Sequence, residues 1–514
     1  MTALPSRTRR LAVALAATAA AAAAAAAAIA GPAAAAYDPA DPAQAAAYAG
    51  ALRAGAAAYQ FGIPLLTMQR TFATATSATV PNGRGAGPVN RFSHFAKLAD
   101  AKDRTVVAPN ADTLYSNLWL DLRTQPQVIH TVRGVKRFHV IPLLSPYEEN
   151  FANIGSPAGA HPDGDYLITG PGYRGRTPKG LTRIRSPYDR VWIVGRTEID
   201  GPSDLKATRK VMEGYMVTPL NRWNPRRPYA YRPAKPKRIV RTTTPAHVPG
   251  TAPGEDPATF FDALGDQLRM FPPTAADAPV VATMAEAGIG PGLHPTKDGK
   301  LADAQLQGLR DAVTQGPGKL QNELVKRYLD GFDAHNGWLV TVLGRYGTDY
   351  LLRAIVDKVG LGAPLPQVAM YPTTQFDRNH APLTGARRYV VHFPKSAFPI
   401  PVRFFWSLTM YDADNFFVVN PLDRYLLNDR SKLTYNPDGS LDVYVQPTAP
   451  ASAAQKRNWL PSPAGAPFHL TMRLYGMSAA GIEGLGAGTG WTPPTILPCD
   501  GATDATAAGT ACAR

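Results

Sequence analysis

The chain has 514 residues, a formal net charge of +15 and 45% apolar residues. That length exceeds what one ordinary hydrophobic core serves, so two or three domains are expected, and the apolar share is that of a globular protein rather than a disordered or fibrous one. Zincin, P-loop and α/β-hydrolase chemistry have no support, because H-E-x-x-H, G-x-x-x-x-G-K-[ST] and G-x-S-x-G are all missing from the sequence.

Arg7, Arg9 and Arg10 precede an apolar, mostly alanine run from Leu11 to Ala30, followed by Gly31, Pro32 and the small residues Ala33 to Ala36. This is the layout of a cleavable secretory signal over residues 1–36. The competing reading is a membrane anchor, but alanine is barely apolar enough for stable insertion. Thr8-Arg9-Arg10-Leu11 also resembles a twin-arginine signal. No later stretch is long and apolar enough to span a bilayer. The expected product is therefore a soluble protein outside the cytoplasm, secreted or in the cell envelope. Its charge falls from +15 to +12 with the three leader arginines.

Asp41-Pro42 opens a helix whose Tyr48, Leu52, Ala56 and Tyr59 share a face. Gly62 and Pro64 are expected to end it, with a second helical stretch over Leu65–Thr74. Short β-type runs follow at Thr105–Ala108, Leu114–Leu122, Lys136–Leu144, Asp165–Thr169 and Arg190–Thr197. A helix is expected from Ser203 to about Tyr215. Residues 37–221 thus form a β-domain with leading helices.

Arg222, Arg226, Arg227, Arg232, Lys235, Lys237, Arg238 and Arg241 come with no acid between them and with prolines and aromatics interleaved. Such a run suits nucleic acid in a cytoplasmic protein. For an exported one it reads as a solvated, Pro-rich linker over residues 222–256, with no nucleic-acid partner. Residues 257–360 are mostly helical, with stripes at Phe260, Phe261, Leu264, Leu268 and Phe271 and at Tyr350, Leu351, Ala354 and Ile355.

A second β-domain is expected over residues 361–480, with strands at Arg388–Phe393, Val402–Tyr411, Phe416–Val419, Leu441–Gln446 and Phe468–Tyr475 and a hairpin turn at Asp438-Gly439. Residues 481–514, with alternating glycines at 484, 486, 488 and 490, read as a flexible tail. Cys499 and Cys512 are the two cysteines, and in an oxidising compartment they are expected to form a disulfide.

Chemistry is most concentrated at Asn110-Ala-Asp-Thr-Leu-Tyr-Ser116, where polar groups crowd the start of a strand. Asp112 is the candidate acid/base or ligand-gripping group and Tyr115 its hydrogen-bonding partner; Asn110, Thr113 and Ser116 are candidate ligand contacts. Thr113 and Tyr115 fall on one face of an extended chain and Ser116 on the other. The bland alternative is an Asx turn, in which Asn110 and Asp112 bond nearby backbone amides. Glu148 and Glu149 point to opposite faces, so at most one joins a given pocket. Asp412 and Asp414 read better as a polar turn than as a cation site. Histidines 94, 130, 139, 161, 380, 392 and 469 show no metal-ligand spacing, and no metal or cofactor is specified.

The same stretches carry a family resemblance. Ala-Pro-Asn-Ala-Asp-Thr-Leu-Tyr-Ser (108–116), Asp165-Tyr-Leu-Ile-Thr-Gly-Pro-Gly172 and Ser186-Pro-Tyr-Asp-Arg-Val-Trp-Ile-Val-Gly-Arg-Thr197 resemble the domain of unknown function 1254. Phe405-Trp-Ser-Leu-Thr-Met-Tyr-Asp412, Asn436-Pro-Asp-Gly-Ser-Leu-Asp442, Asn458-Trp-Leu-Pro-Ser-Pro463 and Met472-Arg-Leu-Tyr475 resemble its usual partner, the domain of unknown function 1214. Tyr346-Gly-Thr-Asp-Tyr-Leu-Leu-Arg-Ala354 resembles the helical segment between them. The resemblance implies an α+β, mainly β fold: two jelly-roll-like antiparallel β-domains with a helical N-terminal segment and a helical connecting region, assembled as a homo-oligomer. It implies no reaction and no catalytic residues. Three classes stay open: a hydrolytic enzyme, a module binding a glycan or small polar ligand, and a structural assembly protein. The first two rank slightly above the third.

Intact-mass measurement of the exported protein is expected to place its N-terminus close to Tyr37. A mature chain that retains Leu11 to Ala30 contradicts the cleavable signal.

Overall fold

A computed structural model describes residues 37–104, 107–155, 161–233 and 247–499. The expected leader, the second half of the basic run and Cys512 lie outside the described residues. Within them, 30% helix outweighs 22% strand, so the fold is mixed α+β and the expectation of a mainly β chain is corrected. The excess comes from long helices that enclose the sheets.

Helix α1 spans Pro42–Ala75, with the Asp41 carboxylate capping the amides of Ala43 and Gln44. It does not stop at Gly62 or Pro64. Both are buried, as are Phe61, Leu65 and Leu66 around them. Proline removes one backbone bond and clashes with the preceding turn; burying this many apolar side chains on both sides outweighs that cost.

Among the described residues the first β-domain has nine strands: β1 (Ser93–His94), β2 (Thr113–Asp121), β3 (Gln127–His130), β4 (His139–Leu144), β5 (Asn150–Gly155), β6 (Asp165–Thr169), β7 (Thr182–Arg185), β8 (Arg190–Glu198) and β9 (Met216–Pro219). They form two sheets, ordered β1-β2-β8-β4-β5 and β7-β6-β3-β9. Leu114, Leu118, Leu120, Val191 and Ile193 of the first sheet meet Ile129, Ile168 and Ile184 of the second in one core. Helix α2 (Leu205–Met212) precedes β9. The run expected at Thr105–Ala108 gives no strand at its described residues. Of the basic run, Arg222, Arg226, Arg227 and Arg232 are exposed.

Four helices follow: α3 (Thr259–Met270), α4 (Ala278–Ala285), α5 (Asp303–Gly331) and α6 (Tyr350–Gly360). They pack on α1 through Phe260, Phe261, Leu264, Leu309, Ala312 and Ile355, so both apolar stripes read from the sequence are core. Gly308 of α5 sits against the α1 backbone. A Cβ there would lie 2.5 Å from the Tyr48 carbonyl oxygen and 2.9 Å from the Leu52 nitrogen.

The second β-domain comprises β10 (Ala369–Met370), β11 (Thr373–Thr374), β12 (Tyr389–Phe393), β13 (Trp406–Asp412), β14 (Leu426–Asn428), β15 (Leu441–Gln446), a short helix α7 (Ala453–Arg457), β16 (Trp459–Pro461), β17 (Phe468–Tyr475), helix α8 (Ala479–Ala487) and β18 (Thr495–Pro498). Its sheets run β10-β17-β13-β14, with β11 also on β17, and β16-β15-β12-β18. Leu408, Met410, Leu470, Met472 and Leu474 face Val391, Val443 and Val445 across the core. Phe416–Val419 forms no strand; Phe417 makes an isolated bridge to Tyr411.

The expected flexible tail is overturned for residues 481–499. Leu485 of α8 and Ile496 of β18 are buried in the second core, and β18 pairs with β12. Gly488 supplies the left-handed cap of α8 at φ 68°. Low apolar content misled here because a few well-spaced apolar side chains are enough to dock a chain end.

Ala in place of a helix-interior glycine ordinarily adds up to about 1 kcal/mol. Gly308→Ala is instead expected to destabilise by about 1–3 kcal/mol, because the obstructing atoms are backbone. A urea midpoint that stays put or rises refutes this close contact of α1 and α5.

Candidate functional site at the seam between the two β-domains

Side chains alternate along a strand, so each sheet has a face turned away from its own core. In β2 and β8 that outer face carries Thr113, Tyr115, Arg196 and Glu198, with Tyr115 registered opposite Arg196. In β13 and β17 it carries Ser407, Thr409, Tyr411, His469, Thr471, Arg473 and Tyr475, with Ser407 opposite Arg473 and Tyr411 opposite His469. These two outer faces meet, and the layer between them is polar. Phe138, Phe405 and Tyr475 close one edge of it.

The Asn110–Ser116 segment enters this seam rather than lining a cleft of its own domain. Ala108 holds φ at +50°, unusual for a residue with a Cβ. Contacts from the second domain fix it: its N–H donates to Asn415 O at 2.8 Å, and the Tyr411 hydroxyl donates to Pro109 O at 2.6 Å. Asn110 forms the Asx turn of the bland reading, its Oδ1 accepting from the amides of Asp112 (2.7 Å) and Thr113 (3.3 Å). The same side chain also donates to the Tyr475 hydroxyl at 2.8 Å.

Asp112 is fully buried. Its oxygens accept from Ser407 Oγ at 2.5 Å and Asn428 Nδ2 at 3.2 Å, and Arg430 lies 3.5 Å away. Arg430 also reaches Glu198, Asp200 and Asp429. It stands in a polar surface cleft of about 500 Å³ lined with Arg137, Glu198, Asp200, Ser203 and Asp204. Burial, against the pull of Arg430, pushes Asp429 up to about 6. Asp112 therefore engages the second domain, and its partners are not Tyr115.

Tyr115 lies with Arg196 over its ring, 5.6 Å from the centroid. Arg196 is 6% exposed, donates to Val194 O (3.1 Å) and Gly362 O (3.0 Å), and has no hydrogen-bond partner at Nε. Arg473, 4% exposed, donates to Thr409 Oγ1 at 2.6 Å, to Pro109 O at 3.3 Å and to the Tyr411 hydroxyl. Burial pulls both guanidiniums down, but the surrounding tyrosines, joined at Arg473 by the charge of Asp112, outweigh it and hold both above their ordinary range. Burial raises the phenols of Tyr371, Tyr475 and Tyr411 in turn, Tyr411 to about 12, and lowers His469 to about 4. At neutral pH the seam thus holds charged arginines, protonated tyrosines and a neutral histidine.

Thr113 is buried with its hydroxyl unpartnered. Ser116 lies on the opposite face, fully buried and 2.9 Å from His94 Nδ1. Burial lowers His94 to about 4, yet a serine sealed in the core cannot meet a substrate. Asp412 and Asp414 form the expected polar turn, and both bind Arg104. Among the described residues no group of three or more His, Cys, Asp or Glu is placed to hold a metal ion. Sequence reasoning missed Arg196, Tyr371, Ser407, Asn428, Arg430, Arg473 and Tyr475. The available signal was an arginine inside an apolar strand, in Val-Gly-Arg196-Thr and Met-Arg473-Leu.

A second buried cluster joins the helices to the first β-domain. Glu148 has φ +63° and lies buried beside Asp357 of α6, which accepts from Thr67 Oγ1 at 2.9 Å. Its neighbour Glu149 turns away to cap the amides of Tyr346 and Gly347, both at 3.0 Å. Burial, reinforced by Asp357, raises Glu148 well above the carboxylate range, and burial pushes Asp357 to about 6. Glu148 therefore keeps its proton beside Asp357.

The comparisons fit this two-domain layout. The protein of unknown function DUF1254 matches residues 89–219, and the protein of unknown function DUF1214 matches residues 368–479. The two matches fall in the order and arrangement that the sequence resemblance implies. Both meeting faces of the seam fall inside the matched spans. Among solved structures, the VPA0106 protein from Vibrio parahaemolyticus is 21% identical over 87% of this chain and 99% of that one, with a TM-score of 0.58, and shows the same fold. A putative uncharacterised protein from Burkholderia cenocepacia is 13% identical over 88% and 95% of the two chains, with a TM-score of 0.39. None of the curated proteins matches this chain.

Two outcomes follow from this geometry. Asp112→Asn presents a neutral amide where Ser407 and Asn428 donate and the Arg430 charge lies 3.5 Å away, so a loss of about 1–3 kcal/mol of stability is expected; an unchanged denaturation midpoint would reduce Asp112 to a turn residue. Asp357 has a raised folded-state pKa, so the folded chain binds more protons than the unfolded one between the ordinary carboxylate range and about 6. Stability is expected to fall as pH rises through that window. Asp357→Asn should flatten that part of the profile and stabilise the chain at pH 7–8, as read from urea midpoints between pH 4 and 8.

Proposed function

We propose that this is an exported protein that binds a small polar ligand in the seam between its two β-domains, on sandwiches of jelly-roll-like connection. The single observation behind this reading is the state of Tyr115, Tyr371 and His469. Each is half-buried, although Arg196 opposite Tyr115 and Tyr411 opposite His469 are buried, so all three keep accessible surface at the polar layer. A layer serving only to glue two sheets together would be filled. Binding is favoured over hydrolysis because both oxygens of Asp112 are already engaged and Ser116 is sealed. A glycan is one ligand class that suits tyrosine walls. In the exported reading Cys499 pairs with Cys512, and the assembly is a homo-oligomer.

The test is a thermal-shift screen of the mature protein against neutral sugars, polar amides and small organic acids, since a ligand of the native state raises the midpoint by mass action. At a hundredfold excess over Kd the gain is about 2.7 kcal/mol. Tyr371→Phe should keep the fold and weaken the response. No shift with any class favours the alternative, a structural envelope or extracellular assembly protein without catalysis.

A further inference from the structure

We infer that the ligand of the seam is a small oxyanion, a carboxylate or phosphate carried on an organic body, gripped by Arg196 and Arg473. This rests on the seam being the binding site and names the chemical class it selects.

Charge placement carries the inference. Among the described residues neither Arg196 nor Arg473 has a carboxylate within 4 Å, although both are more than nine-tenths buried. The acid nearest the pair, Asp112, is already held by Ser407, Asn428 and Arg430. Two guanidiniums taken out of water with no carboxylate in contact are costly, and proteins ordinarily pair or neutralise such charges. Arginine cannot shed its proton to escape the cost. The remaining compensation is an anion from outside.

The neighbouring groups suit one. Arg196 Nε and the Thr113 hydroxyl lack partners, and Tyr371 is half-buried among them. Tyr371 interacts electrostatically with both arginines, and its ring centre lies 6.0 Å from the Arg473 guanidinium carbon, so the two cations share this wall. Planar forks with N–H groups to spare match the two oxygens of a carboxylate or phosphate. The half-buried tyrosine faces would then hold the apolar body of the molecule. A neutral sugar answers none of the unbalanced charge.

The experiment follows the thermal midpoint of the mature protein at fixed ionic strength with acetate, benzoate, inorganic phosphate, sulfate, benzamide and a neutral disaccharide. At least one anion is expected to raise the midpoint saturably, with benzamide inert. Benzoate acting alone assigns a carboxylate; phosphate or sulfate acting alone assigns a tetrahedral oxyanion. Arg196→Met should abolish the anion response and, unlike the loss of a structural arginine, leave the ligand-free midpoint unchanged or higher. If that variant does not fold, Arg196→Lys should fold and weaken anion binding at least tenfold. A midpoint raised by the disaccharide or benzamide and by no anion overturns the inference while leaving the seam a binding site. Silence from every compound overturns both.

Discussion

Two β-sandwiches in this chain adhere through largely polar sheet faces with an apolar cluster at one edge, and the rest of the architecture follows from that contact. Apolar faces tolerate sliding, because the hydrophobic effect has no direction. The seam instead fixes its register through short, directed bonds: Asp112 to Ser407 and Asn428, Asn110 to Tyr475, and Tyr411 to Pro109. Each buried polar group left unmade would cost more than a made bond contributes. The two domains therefore have one low-energy arrangement. The loop from Ala108 to Asp112 is the piece both share, and its strained φ at Ala108 persists because the second domain holds it.

The helical layer solves a different problem. Sheet edges and the remaining outer faces need covering, and α1 does this with Met68 and Phe72 against Trp119 and Trp192. Helices α1 and α5 approach closely because glycines such as Gly308 leave room for backbone contact. At the junction with the first β-domain, burial keeps a proton on Glu148 beside Asp357, where two carboxylates would repel. Ionisation of Asp357 near 6 weakens this joint, which couples the junction to pH in a way the apolar contacts around it are not.

The seam is also where local and global requirements diverge. Arg196 and Arg473 sit in strands whose alternate residues are core, Ile193 and Thr197 on one and Met472 and Leu474 on the other. Alternation alone would send both arginines to solvent. What buries them is the second sheet stacked on the first, a relation between residues nearly three hundred positions apart. A polar face that looks like surface in one domain becomes interior once the other domain docks.

Much of the scaffold could be read from the chain alone. Period-two runs at Asp165–Thr169, Leu441–Gln446 and Phe468–Tyr475 coincide with strands, and the Phe260 and Tyr350 stripes with core helices. These signals are local, because a strand or helix with one wet and one dry face must write that period into its own residues. The crowding at Asn110–Ser116 was visible for the same reason, as was the possibility of an Asx turn. Tertiary structure alone decided the rest. It carried α1 through Pro64, drew β18 from an apparently featureless tail, and gave Asp112 partners in Ser407, Asn428 and Arg430 rather than Tyr115. Pairings at that separation leave no periodic trace in a single sequence, since either partner is equally acceptable as a surface residue until the two sheets meet.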